Sequence, residues 1–115
     1  MTRQKVRLGL IGAGAARNMY GPAFKYIPSV SLMAVADSNP EALERIQNEL
    51  GVPYIYPSAE AMLEKAELDA VLVASPVFCH LKHVLAAAQA GVHVMIEKPM
   101  ARTVAEAERM VSACR

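Results

Sequence analysis

The chain has 115 residues, a formal net charge of +1 and an apolar fraction of 54%. That length builds one domain with a real core, not two, and the apolar fraction, above the roughly 45–50% of ordinary domains, suits strands buried on both faces. Near-neutral charge, 5% aromatics and no Trp argue against a nucleic-acid surface, and no apolar run reaches the roughly 18 residues of a membrane span.

The basic residues Arg3, Lys5 and Arg7 ahead of residues 8–16 imitate a secretory leader. The run is Gly-rich, however, and its removal would take away a strand that the rest of the pattern needs. Residues 6–11 read as that strand, followed by a helix over 15–26 that ends before Pro28. A second strand covers 31–36. Asn39-Pro40 then caps and starts a helix with Pro in its first position. Leu43, Ile46 and Leu50 give this helix one apolar face, and Gly51 with Pro53 stops it. Residues 54–56 form a short strand near an edge. Ser58 caps a brief helix to Lys65, and 69–74 is a strand suited to the sheet centre. Leu81, Val84, Leu85 and Ala88 mark the next helix, closed by Gly91, and 93–96 is the fifth strand. Thr103 and Glu106 make a capping box for a last helix whose face is Val104, Ala107, Val111 and Cys114. Strands alternating with helices predict an α/β fold: a doubly wound parallel sheet of about five strands in three α/β/α layers.

Gly12-Ala13-Gly14 falls at the turn from first strand to first helix, where a dinucleotide fingerprint belongs. Gly12 permits the tight turn, and Gly14 lets backbone approach a pyrophosphate. Ala15 and Ala16 open a helix whose free N–H groups and positive dipole end face the anion. Arg17 stands where a third small residue is expected; it either reaches the phosphates or lies in solvent. Asp37, 25 residues beyond Gly12, closes the second strand. Its carboxylate can accept from the adenosine ribose hydroxyls and would repel a 2′-phosphate, which favours NAD and leaves NADP room only in a relaxed pocket at Ser38 and Asn39. The alternative is a further cap for the following helix.

In such a sheet ligands lie beyond the carboxyl ends of the strands. The glycine turn, Asp37, Ser75-Pro76 and Glu97-Lys98-Pro99 therefore share one rim. His80 stands in the first turn of the helix after Ser75-Pro76, either near the cofactor or as a plain surface residue or cap, whereas His83 and His93 read as structural or solvent-facing. Lys98 can donate to a ribose hydroxyl, a carboxamide or a substrate oxygen, or relay a proton. The alternative is an ordinary Glu97–Lys98 surface pair ahead of a turn. Pro99 gives Lys98 a rigid base, and the Lys98–Pro99 bond is open to either isomer. No His or Cys pair has metal-ligand spacing, so no metal is expected. Cys79 and Cys114 read as reduced thiols of a cytoplasmic protein.

The order of these motifs resembles the Gfo/Idh/MocA family of oxidoreductases. The resemblance is carried by Gly12-Ala13-Gly14, Pro22-Ala23-Phe24, Ala34-Val35-Ala36-Asp37, the run from Asp69 to Pro76 with His80, and above all the run from Ala90 to Ala101 with its Glu97-Lys98-Pro99. It spans essentially all 115 residues, but only the family's N-terminal half. It implies a Rossmann domain over 1–115 that binds NAD or NADP, in an enzyme acting on a sugar, polyol or similar secondary alcohol. Lys98 would then lie near nicotinamide and substrate as the catalytic residue, with Glu97 beside it. The family's second domain carries the substrate pocket, an oligomerisation sheet and a catalytic His, so this chain alone is expected to bind cofactor and turn over little. Two positions depart from the pattern: Arg17, in a loop that looks one residue short, and Val77, where an Asn often follows the family's Thr-Pro. A non-catalytic nucleotide-binding sensor and an inactive fragment are the rival readings. The chain stops on a helix where a further strand is normal, which leaves the fifth strand as an open edge for self-association.

Overall fold

Runs such as Leu10-Ile11, Ala34-Val35-Ala36 and Val71-Leu72-Val73 are apolar at every position, so a strand built from them must be covered on both sides. The computed structural model, which describes residues 5–14, 21–24 and 26–115, meets that demand. Strands β1 (Val6–Ile11), β2 (Val30–Ala36), β3 (Tyr54–Tyr56), β4 (Ala70–Val73) and β5 (His93–Ile96) form one parallel sheet in the order β3-β2-β1-β4-β5. Alternate residues face opposite ways. Leu10, Val35 and Leu72 pack with Leu43 and Ile46 of helix α2 (Pro40–Leu50); α1 (Gly21–Phe24) precedes it in the chain. Ile11, Ala34, Ala36, Val71 and Val73 pack on the other face, against α3 (Ala59–Lys65), α4 (His80–Gln89) and α5 (Val104–Ala113).

The expected punctuation holds. Asn39 Oδ1 accepts from the N–H groups of Glu41 and Ala42 at the head of α2, and Gly51 ends that helix at φ 66°. Ser58 caps α3 through the N–H of Ala61. Of the expected first helix, 21–24 are helical and 15–20 and 25 lie outside the described residues. No helix among the described residues is long and apolar enough to cross a membrane.

Three expectations need correction. In α4 the deeply buried residues are His80, Val84 and Ala87, not Leu81, Leu85 and Ala88, which are half-buried. In α5 the buried side chain is Met110, while Val104 and Val111 are exposed. The physical reason is placement: α5 packs mainly on α4 and joins the cluster on the sheet through Met110, so one edge of its apolar stripe stays uncovered. The capping box is also shifted. Thr103 Oγ1 accepts from Glu106 N–H at 3.1 Å, but the Glu106 carboxylate takes the N–H and guanidinium of Arg102.

The revised face of α5 is checked by paired substitutions. Met110→Ala should cost about 2–5 kcal/mol of unfolding free energy. Val104→Ala should stay within about 0.5 kcal/mol of wild type. Urea midpoints at constant slope read both, and the reverse ranking would restore the sequence-based face.

Candidate functional site

The strand order turns round at β1: the chain moves outward through β2 and β3 on one side, then crosses to β4 and β5 on the other. A crevice opens at such a switch point, beyond the carboxyl ends of the strands. Gly12 sits there. Its N–H donates to Ala36 O at 2.9 Å, and its φ is +101°, where side chains are strained. A Cβ at Gly12 would stand 2.7 Å from Ser75 N and 2.8 Å from Ala74 C, so only glycine lets the ends of β1 and β4 come this close. The backbone is helical by Gly14, where a Cβ would meet nothing within 4 Å. Ala15, Ala16 and Arg17 lie outside the described residues.

Asp37 grips this turn in a way that the motif spacing does not reveal. Its Oδ2 accepts from Ala13 N–H at 2.8 Å, and its Oδ1 accepts from Asn39 N–H at 2.8 Å. One carboxylate therefore ties the glycine turn to the residue that caps α2. A carboxylate offers about four acceptor positions, so Asp37 keeps capacity for further donors.

On the β4 side, Pro76 leads into a short 3₁₀ turn (Val77–Cys79) that runs on into α4. Ser75 Oγ lies 2.8 Å from His83 Nδ1. His80 is in the expected first turn of α4, but its ring is 1% exposed. Nε2 lies 2.7 Å from Ser75 O and Nδ1 lies 3.1 Å from Met100 O. Both ring nitrogens are thus turned to backbone carbonyls, which leaves neither for a ligand. His83, expected to be structural or in solvent, is half-buried at the crevice. Its spacing holds a clue: it falls one helical turn after His80, on the same face.

At β5, Glu97 N–H still donates to Val73 O at 2.9 Å, so the strand reaches the rim before turning polar. Glu97 Oε1 accepts from Lys98 N–H at 3.2 Å. Its Oε2 is buried with no partner. Lys98 is exposed, and its bond to Pro99 is cis.

Two adjoining depressions collect these residues. One, of about 250 Å³, is lined by Gly12, Asp37, Ser38, Lys82 and His83 among others. The other, of about 560 Å³, is lined by Gly14, Val77, Glu97 and Lys98. They share Gly12, Asp37, Ser38, Ser75 and Pro76, so they form one trough along the rim.

A sequence model described as an oxidoreductase family with an NAD-binding Rossmann fold matches residues 6–115. The chain belongs to the Gfo/Idh/MocA oxidoreductase family. It is 33% identical to the myo-inositol 2-dehydrogenase of Thermotoga maritima over 92% of its own length and 32% of that protein. It is 34% identical to the D-glucoside 3-dehydrogenase of Escherichia coli over 100% of its length and 33% of that protein. Among solved structures, the WlbA dehydrogenase of Bordetella pertussis, in complex with NADH and UDP-GlcNAcA, superimposes with a TM-score of 0.91 at 35% identity, over 96% of this chain and 34% of that one. The chain spans about one-third of the length of these relatives.

The trough of this family member suits an extended ligand with an anionic middle and hydroxyl groups toward both ends. Open space at Gly14 admits a bulky anion. Asp37 is an acceptor on one side of it, and Glu97 lines the other. His83 adds a titratable wall. Burial holds its imidazole below the ordinary 6.5; Glu60 opposes that and the charges of Lys82 and His80 add to it. Between the folded and unfolded pKa values the unfolded chain binds more protons, so stability rises with pH through that window and falls as pH drops. Melting the wild type from pH 8 to pH 5.5 should therefore show a loss that His83→Gln reduces. Equal losses in the two proteins would contradict this.

Proposed function

We propose that the trough holds a dinucleotide, NAD in preference to NADP, in a cytoplasmic oxidoreductase that acts on a sugar, polyol or similar secondary alcohol. The observation that carries this reading is Asp37 fastened to the glycine turn, with both of its oxygens already oriented by backbone N–H groups. A carboxylate held in that way offers its remaining lone pairs to a vicinal diol at little further entropic cost and repels a phosphate in the same place.

The pyrophosphate would pass over the bare glycine turn toward Gly14, since the N–H groups of Gly12 and Ala13 are already taken by Ala36 O and Asp37 Oδ2, with Ser75 and Pro76 as the opposite wall. Bound NAD would supply the hydride acceptor of the reaction. Glu97 would take a hydrogen bond on its unpartnered Oε2. Lys98 would donate to a ribose hydroxyl, a carboxamide or the substrate oxygen, and so stabilise negative charge on that oxygen. His80 borders the larger depression, but its ring nitrogens face Ser75 O and Met100 O, so it would offer the cofactor no nitrogen hydrogen bond. The relatives named as myo-inositol and D-glucoside dehydrogenases support the substrate class. Substrate enclosure and the base for the hydroxyl proton would come from sequence beyond the one-third of those relatives that this chain spans.

Fluorescence titrations with NADH and NADPH test the reading. Wild type should saturate with NADH at lower concentration than with NADPH. Asp37→Asn removes the charge and keeps an acceptor. It should weaken NADH binding by roughly tenfold, the loss of about one charge-assisted hydrogen bond, and narrow the preference over NADPH. A wild-type preference for NADPH, or a ratio that Asp37→Asn leaves unchanged, would overturn the role given to Asp37.

A further inference from the structure

His80 is the one polar side chain in the buried core of the described residues; it borders the larger depression, but both of its ring nitrogens face backbone carbonyls. It touches two loops. Nε2 lies 2.7 Å from the carbonyl of Ser75, in the wall common to both depressions. Nδ1 lies 3.1 Å from the carbonyl of Met100, two residues beyond Lys98. Resting on the reading of the trough as a dinucleotide site, we propose that His80 is a positioning residue that sets Lys98 against the trough by clamping the backbone of Met100 to that of Ser75.

The case is mechanical. Lys98 follows an edge strand, and its side chain is exposed, so packing does not fix it. Among the described residues, its own N–H is held only by the neighbouring Glu97 carboxylate. Among the described residues, the contact between His80 and Met100 is the hydrogen bond that links residues 98–100 to another element. The imidazole itself is immobilised by burial, so it transmits position between the loops without slack. A reacting group must be held to within about half an ångström to be useful, and this loop has few other means to achieve that. Both carbonyls are acceptors. A ring with a single proton serves one of them, so holding both loops at once requires a proton on each nitrogen, and the hold on Met100 requires the one on Nδ1.

Two amide variants separate the halves of the clamp. In His80→Gln the amide nitrogen reaches the place of Nε2, which keeps Ser75 and loses Met100. In His80→Asn it reaches the place of Nδ1, which keeps Met100 and loses Ser75. The readout is the affinity for NADH divided by that for ADP-ribose, which isolates the gain from the nicotinamide end. His80→Gln should lower that gain by roughly tenfold with ADP-ribose affinity within about twofold of wild type, and His80→Asn should preserve the gain. A gain unchanged in His80→Gln, or an equal fall in both variants, would overturn the clamp, since general loosening spares neither half. A wild-type chain that is folded yet binds neither ligand would bring down the reading of the trough, and the clamp with it. Ring ¹⁵N shifts of His80 in the wild-type chain test the clamp even if neither variant folds. A protonated Nδ1 that exchanges slowly with water is expected, and a bare Nδ1 would overturn the proposal.

Discussion

The structure depends on the approach of Gly12 to the backbone of Ala74 and Ser75. Without a side chain at Gly12, the ends of β1 and β4 lie close enough that a single added carbon would fall 2.7 Å from Ser75 N. This contact occurs where the strand order turns round, so the point that most restricts the backbone is also the floor of the crevice. What lies on either side follows from it. Ala13 N–H is presented to Asp37, Asp37 in turn takes the N–H of Asn39, and α2 starts from a cap already fixed in place. On the other side Ser75 is set where its hydroxyl meets His83 and its carbonyl meets His80.

The trough therefore rests on backbone and short side chains, not on long flexible ones. Asp37 and Ser75 each have two groups bound to partners, and His80 has both ring nitrogens within reach of carbonyls, so they are oriented before any ligand arrives. Preorganisation of this kind lowers the entropy lost on binding. The exposed Lys98 is the exception, together with Glu97 Oε2, which is buried without a partner. A buried bare oxygen is unfavourable alone.

Much of this is legible in the residues, for local reasons. Asn39-Pro40, Ser58 and Gly51 act within a turn of their own position, so their caps appear as the sequence suggests. The fully apolar strands require cover on both faces wherever the helices come from, and Asp37 is placed by the spacing of strand and turn. The misreadings concern which partner a side chain meets, near or far in sequence. Val104 and Val111 look like core by periodicity, but they are exposed because α5 leans mainly on α4. His80 lines the trough as its position suggests, but its nitrogens meet carbonyls five and 20 residues away, which the chain order does not announce. Ser75 and His83 are eight residues apart, and nothing in the chain order announces that a hydroxyl at a strand end will meet the second turn of the next helix. Periodicity reports which residues leave water, but not which polar partner meets them.

The central claim is that one continuous trough, from Asp37 past Gly12 to Lys98, is the dinucleotide site. A ¹H–¹⁵N spectrum of the labelled chain titrated with NAD⁺ tests it most directly. The account predicts that the amides to shift are those of Gly12, Ala13 and Gly14, of Asp37 and Ser38, of Ser75 and Val77, and of Glu97 and Lys98. Shifts confined to the exposed apolar side of α5, around Val104 and Val111, or a folded chain whose spectrum does not change at saturating NAD⁺, would contradict it.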